Sequence, residues 1–512
     1  MPRSGALAAL RHLPLRGWMP VAFPFALVTV AWWPSTQARF GLIDDHQIIK
    51  LLAGRPRLPV SEVVPQIVAH RTEPLGRSRP LYWVGQVLES AWAGDRPLLW
   101  YLDRLVLVLV TLAALLYLCR LFVGPWAAAL LAPAAVLGPQ FEAWSRLGAA
   151  EAYAMPLFVV GTAATVRGWR ARDERVVLSG ATALLAAALA KESFLVFAAA
   201  GLVVSFVLVR HGPLTRYGWL VWGALAGVFV ADLGVLAHQL AEYGSQYSQK
   251  RTLASAFSTG AYALANAVLY QAVLGVLLVV LARAGRERVR PPVLIWAVSG
   301  AVLVSQVGFY AGADQVGRYL LPGTVASMGL WLGVLSASGP RRSSRPWLPL
   351  VVTVAAVLGF SLALGALVSF REARENARGT QHFQAWLHGV EREIVADEAT
   401  VVVVQPESPY RDLEPVLAVA QYLKDDLPVH VMTTRARVAP DERARALARE
   451  IGAMSKRGTP DGLLDPLDPG ARCVAVVLGS SPPVCEHAVT APWQPASSVT
   501  SPSARPGDKF SP

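Results

Sequence analysis

Long apolar runs, almost free of charge, recur along this chain, each about the 17–25 residues a helix needs to cross a hydrocarbon core. They fall at about 18–34, 98–122, 125–140, 150–166, 176–191, 194–210, 218–237, 259–282, 293–311, 319–338 and 348–368. The pattern predicts an all-α polytopic membrane protein of about eleven transmembrane helices over residues 1–368. After residue 369 the pattern changes. "ATVVVVQ" at 399–405, "LPVHVMTT" at 427–434 and "RCVAVVLG" at 472–479 read as buried strands, with helical stretches near 411–424 and 440–454 between them. Strand–helix alternation of this kind predicts a small α/β domain with a parallel sheet over 369–492. It has no Gly-rich phosphate loop, so nothing in it supports nucleotide binding. The Pro/Ser-rich tail, 493–512, reads as disordered.

Composition agrees with the pattern. The 512 residues are 54% hydrophobic and only 16% charged, with a mean hydropathy of +0.41, whereas soluble domains are near a quarter charged. The net charge of +12 invites a nucleic-acid partner, but its distribution excludes that reading. The arginines sit in short loops between apolar runs, not on one soluble face. Arg3, Arg11 and Arg16 precede the first run, and Arg120, Arg167 to Arg175, Arg210 and Arg216, Arg283 to Arg290 and Arg341 to Arg345 follow in alternate loops. The positive-inside rule makes these cytoplasmic. The N-terminus is then cytoplasmic, and residues 35–97 form a first extracytoplasmic loop. The regions near 140–150, 191–193, 238–258 and 312–318, and everything after 369, share that outer side. The first run also has the arginine-bearing flank of a signal peptide, but "STQARF" is a poor cleavage site, so it is read as a retained helix. Of three cysteines, Cys119 ends an apolar run, while Cys473 and Cys485 lie outside and could pair or remain thiols.

Ionisable groups at a membrane face are costly and tend to be functional where they do not mark topology. On the outer side stand Asp44, Asp45 and His46 in "GLIDDHQIIK", Arg77 and Arg79 in "GRSRPLYW", Arg146 and Glu151 in "WSRLGAAEAY", Lys191 and Glu192 in "LAKESF", and Asp314 and Arg318 in "GADQVGRYLLP". A cavity shared by these groups would hold carboxylates beside several cations, which suits a reaction with an anionic, lipid-linked leaving group. Each also has a plainer role. Asp44 can cap a helix that ends at Gly54, with Gln47 completing a capping box. Lys191 and Glu192 can be an ion pair or mark a helix break, Arg146 and Glu151 can pair with each other, and Arg318 can be an interfacial arginine. A transporter, or a silent scaffold presenting the C-terminal domain, would fit the same topology. Transporters, however, place polar residues near the midplane, often in two related halves, and here the charges gather at one interface with no repeat.

In order and on one side, these elements resemble the GT-C glycosyltransferases, nearest the protein O-mannosyltransferase-like and aminoarabinose-transferase-like branch. The resemblance covers about residues 18–340. It rests on the acidic pair Asp44–Asp45 after the first helix, the "RPL" element Arg79–Pro80–Leu81, the "KE" pair Lys191–Glu192, and "RYLLP" from Arg318 to Pro322. Related proteins often carry a histidine and an asparagine entering the second helix, where this chain has "LLWYLDRLVL". The resemblance implies transfer of a sugar from a polyprenyl phosphate to a protein, lipid or glycan acceptor outside the cytoplasm, in the cell envelope. It implies Asp44 as base. Asp45 and His46 would orient the acceptor or hold a divalent cation, Mg²⁺ or Mn²⁺. Arg79, Lys191 and Arg318 would meet the carrier phosphate, with Glu151, Glu192 and Arg146 around them.

Overall fold

The computed structural model describes residues 15–41, 45–52, 54–69, 79–211, 216–243, 317–321, 347–405, 430–433, 472–477 and 487–490, with single residues 324, 328, 332, 419, 422, 423 and 485. They are mostly helical. In chain order the helices are α1 (Leu15–Trp32), α2 (His46–Leu52), α3 (Val60–Ala69), α4 (Pro80–Trp92), α5 (Pro97–Arg120), α6 (Pro125–Val136), the short α7 (Glu142–Ser145), α8 (Glu151–Ala171), α9 (Glu174–Ala190), α10 (Leu195–His211), α11 (Arg216–Tyr243) and α12 (Trp347–Ala396). Among the described residues, three helical stretches are long and apolar enough to cross a membrane: Pro97–Arg120, Glu192–Arg210 and Tyr217–His238. The apolar runs read at 18–34, 125–140, 150–166, 176–191 and 348–368 are also helical, as α1, α6, α8, α9 and the first half of α12. Those at 259–282 and 293–311 lie outside the described residues, as does most of 319–338.

The chain divides into two compact units. The first comprises residues 1–33, 63–88 and 101–373, the second 34–62, 89–100 and 374–512. The stretch read as a single outer loop, 35–97, is therefore shared between them, and besides the expected helix α2 it holds α3 and α4, which its sequence pattern did not announce.

In the first unit the centre is the hairpin of α8 and α9, against which α10 and α11 pack, while α1 packs on α6. The turn is encoded locally. Arg172 takes the left-handed conformation that ends α8, and Asp173 caps α9 by accepting from the Arg175 and Val176 amides at 3.0 and 3.3 Å. Small residues let the two helices touch. A Cβ on Gly161 would lie 2.9 Å from the Gly180 carbonyl oxygen, and one on Gly180 would lie 2.7 Å from the Thr165 nitrogen. Phe158 of α8 meets Phe197 of α10 with ring centroids 4.3 Å apart, and Phe194 completes the aromatic cluster. Gly180→Val should force the hairpin apart and lower stability by about 1–3 kcal/mol. Thermal unfolding in detergent checks this, and an unchanged midpoint would refute the close-packing account.

The second unit holds four strands, β1 (Val401–Gln405), β2 (His430–Thr433), β3 (Cys473–Val477) and β4 (His487–Thr490). They form one parallel sheet in the order β2-β1-β3-β4. Val401 to Val403 and Val474 to Val477 are all buried, which explains why these strands read as unbroken apolar runs rather than alternating ones. Strand β4 was not read from the sequence, being only four residues long and polar at both of its ends, His487 and Thr490. Cys473 and Cys485 are joined in a disulfide beside β3. The helices expected at 411–424 and 440–454 lie outside the described residues apart from Val419, Tyr422 and Leu423, and so does the tail 493–512.

Candidate functional site

The α8–α9 hairpin decides which residues meet. At 1.5 Å per residue, the 21 residues of α8 and 17 of α9 run about 31 and 26 Å in opposite directions from their shared turn. Glu151, which starts α8, and Lys191, which follows α9, are thereby returned to one level. Lys191 Nζ lies 3.2 Å from Glu151 Oε1 and 3.4 Å from Glu192 Oε1. Both reduced roles read for the "KE" pair hold at once. Lys191 sits at the break between α9 and the single 3-10 turn Glu192–Phe194 that leads into α10, and it is ion-paired.

Arg79 enters from a third element. It directly precedes α4, whose first residue is Pro80, a residue suited to that position because its missing N–H is not needed there. The Trp83 amide donates to the Arg79 carbonyl at 3.2 Å. This backbone placement accounts for the "RPL" spelling, and it turns the guanidinium onto Glu192. Arg79 donates from Nε to Oε2 at 2.7 Å and from Nη2 to Oε1 at 2.8 Å, a bidentate pair. Arg318 comes from a fourth element, the 3-10 turn Gly317–Leu320, with Nε 3.9 Å from Glu151 Oε2. Its backbone amide donates to Glu142 Oε2 at 3.1 Å. Gly317, at φ +71°, makes this possible, because the Glu142 carboxylate occupies the space a side chain at 317 would need.

Arg79, Glu192, Lys191, Glu151 and Arg318 thus form one continuous network. Their side chains are 6%, 26%, 5%, 2% and 15% exposed, so the cations are held where water screens them weakly. Arg146 reaches the network through Glu142, 3.1 Å away, and also lies 3.5 Å from Glu372. The direct pairing of Arg146 with Glu151 that their spacing allowed is not formed, because α7 turns Arg146 toward Glu142 and Glu151 is taken by Lys191.

Five residues were not singled out in the sequence. Glu142 and Glu372 looked like ordinary acids at span ends. Arg104, Gln86 and Tyr153 form a cluster joining α4, α5 and α8, with Arg104 and Gln86 buried and Tyr153 half-buried. Gln86 Nε2 donates to the Tyr153 hydroxyl at 3.2 Å, and the fully buried Arg104 guanidinium lies 4.3 Å from the Tyr153 ring centre. The adjacent charges Asp103 and Arg104 inside the otherwise apolar run "LDRLVLVLV" were the available signal for Arg104.

Asp45 belongs to the second unit. It is buried, and its Oδ2 accepts the Gly41 amide at 2.6 Å. Its carbonyl accepts from the Ile48 and Ile49 amides at 3.0 and 3.4 Å, which opens α2. The helix ends at Leu52, shortly before Gly54 at φ +73°, as the "LLAGRP" spelling predicts. Asp44, read as base and as cap, lies outside the described residues, and so does the His46 side chain, the other suggested metal ligand. Among the described residues no group of three or more His, Cys, Asp or Glu is arranged to hold a metal ion. No known family model matches the chain, and no curated protein matches it.

Proposed function

We propose that this chain is a polytopic membrane glycosyltransferase of GT-C type. It has about eleven transmembrane helices, a cytoplasmic N-terminus and an extracytoplasmic C-terminal α/β domain. It moves a sugar from a polyprenyl-phosphate donor to a protein, lipid or glycan acceptor outside the cytoplasm. The observation that carries the reading is the convergence of Arg79, Lys191 and Arg318, from three separate elements, around the buried Glu151 and the half-buried Glu192. Cations supplied from distant segments and held in place by carboxylates are preorganised for an anion, and preorganised charge is what a departing phosphate needs.

In the transfer, the acceptor hydroxyl oxygen attacks the anomeric carbon while the bond from that carbon to the phosphate oxygen breaks. The hydroxyl proton passes to Asp44, and the electron pair leaves with the phosphate. Arginine grips a phosphate at two points where lysine supplies a point charge, so Arg79 and Arg318 orient the carrier and Lys191 stabilises its charge. Glu151 and Glu192 fix the three cations, and Arg146 with Glu142 holds the Arg318 turn. Asp45 has the oxygen chemistry a hard divalent cation such as Mg²⁺ or Mn²⁺ prefers, and the steps above need none.

The test is to remove the protein from its host and compare envelope glycans and glycoproteins by mass spectrometry. One class of sugar modification should vanish and return with the wild-type chain. Arg79→Lys keeps the charge but not the two-point grip on Glu192, and it should restore the modification only weakly. Unchanged envelope glycans after removal would sink the transferase reading and leave the transporter or scaffold.

A further inference from the structure

In the second unit, the backbone just ahead of the acidic pair is held by side chains more than 300 residues away. Residues 37–41 form no regular helix or strand beyond the 3-10 turn ending at Gln37, so their polar backbone groups need other partners. Those partners come from one stripe of α12 and from Tyr422. Gln381 Nε2 donates to the Gln37 carbonyl at 2.8 Å, and Gln384 Nε2 donates to the Phe40 carbonyl at 2.7 Å. The Arg39 amide donates to Thr380 Oγ1 at 2.9 Å. The Tyr422 hydroxyl donates to the Gly41 carbonyl at 2.6 Å. The Gly41 amide in turn donates to Asp45 Oδ2.

The packing behind these bonds is equally specific. Thr380 is buried, and Phe383, Trp386, Leu387, Val390 and Ile394 continue a buried face along the same helix. Phe383 meets the Tyr422 ring edge-on, with centroids 5.1 Å apart, which aims the phenol. A Cβ on Gly41 would lie 3.2 Å from Thr380 Cγ2 and 3.4 Å from Asp45 Oδ2, so the segment is drawn against both.

We propose that the C-terminal part of the chain is a positioning device for the acidic segment: Thr380, Gln384 and Tyr422 lock the backbone at 37–41, and that backbone fixes the Asp45 carboxylate. The C-terminal region is then a working part of the proposed enzyme rather than a passenger on it. The locking stands on the hydrogen bonds alone; its catalytic consequence rests on the glycosyltransferase reading.

Hydrogen exchange on the full-length protein in detergent, read residue by residue across 37–45, separates the two. Tyr422→Phe keeps the ring and removes one donor, and Thr380→Val keeps the shape and removes one acceptor. Arg39 and Gly41 amides should exchange slowly in the wild type. Arg39 should exchange about tenfold faster in Thr380→Val, and Gly41 about tenfold faster in Tyr422→Phe. Thr380→Ser, which keeps the hydroxyl, should stay close to wild type. Exchange in 37–41 that neither variant changes overturns the locking, whatever the protein does. In a transfer assay the same two variants should lower kcat about tenfold with the donor KM unchanged. Faster exchange with unchanged kcat overturns the positioning role. Absence of any transfer by the wild type instead removes the glycosyltransferase reading, and the exchange data still decide whether the C-terminal region holds this segment.

Discussion

Lys191→Met should weaken binding of the lipid-linked donor roughly ten- to a hundredfold while leaving the acceptor KM nearly unchanged, because the variant removes a charge-assisted contact to the phosphate. It should also destabilise the protein. The Lys191 side chain is 5% exposed and that of Glu151 is 2% exposed, 3.2 Å apart. Removing the cation leaves a carboxylate buried without its closest partner, at a cost of about 3–5 kcal/mol. These two effects can be separated. In Lys191→Met with Glu151→Gln neither charge remains, and much of the stability should return. Donor binding should not return, since nothing restores the positive charge. Thermal unfolding in detergent and a donor titration on both variants make the comparison. Full recovery of donor binding in the double variant would show that Lys191 acts only by neutralising Glu151.

Asp44→Asn should reduce transfer by about 10²–10⁴-fold, the range a positioned general base contributes. The loss should appear in kcat, with donor KM and membrane insertion unaltered, because the base acts on the transition state and not on binding. Asp45→Asn is the instructive control. The asparagine side-chain oxygen can still accept the Gly41 amide that Asp45 Oδ2 accepts at 2.6 Å, so the turn survives and the loss should stay below about tenfold. If the two variants exchange these outcomes, the base is Asp45. If both keep full activity, the acidic pair has no part in chemistry.

How far the sequence carries can be read from particular elements. Helix runs 98–122, 194–210 and 218–237 were plain because hydrocarbon-length apolar stretches are long signals that no tertiary contact needs to reinforce. The strands at 401–405 and 473–477 were plain for a related reason: both their faces are buried, so the run is unbroken. Helices α3 and α4 were not, since short helices in a loop carry mixed polarity and take their stability from packing. Within the site, Arg79, Glu151, Lys191, Glu192 and Arg318 could be gathered as one candidate set from charge placement alone, and the structure joins them in one network.

The amino-acid sequence by itself determined the long apolar helices of the chain, including three long enough to cross a membrane, and the spelling of its helix breaks. These depend on composition over windows of about twenty residues and on local backbone preferences. Only the tertiary structure decided who pairs with whom. Glu151 is shared by Lys191 and Arg318, Arg146 goes to Glu142, and Tyr422 reaches the Gly41 carbonyl. An ion pair is settled by a few ångströms, set here by the length of the α8–α9 hairpin, the conformation of Gly317 and the stripe of α12, and no pattern along the chain records such distances.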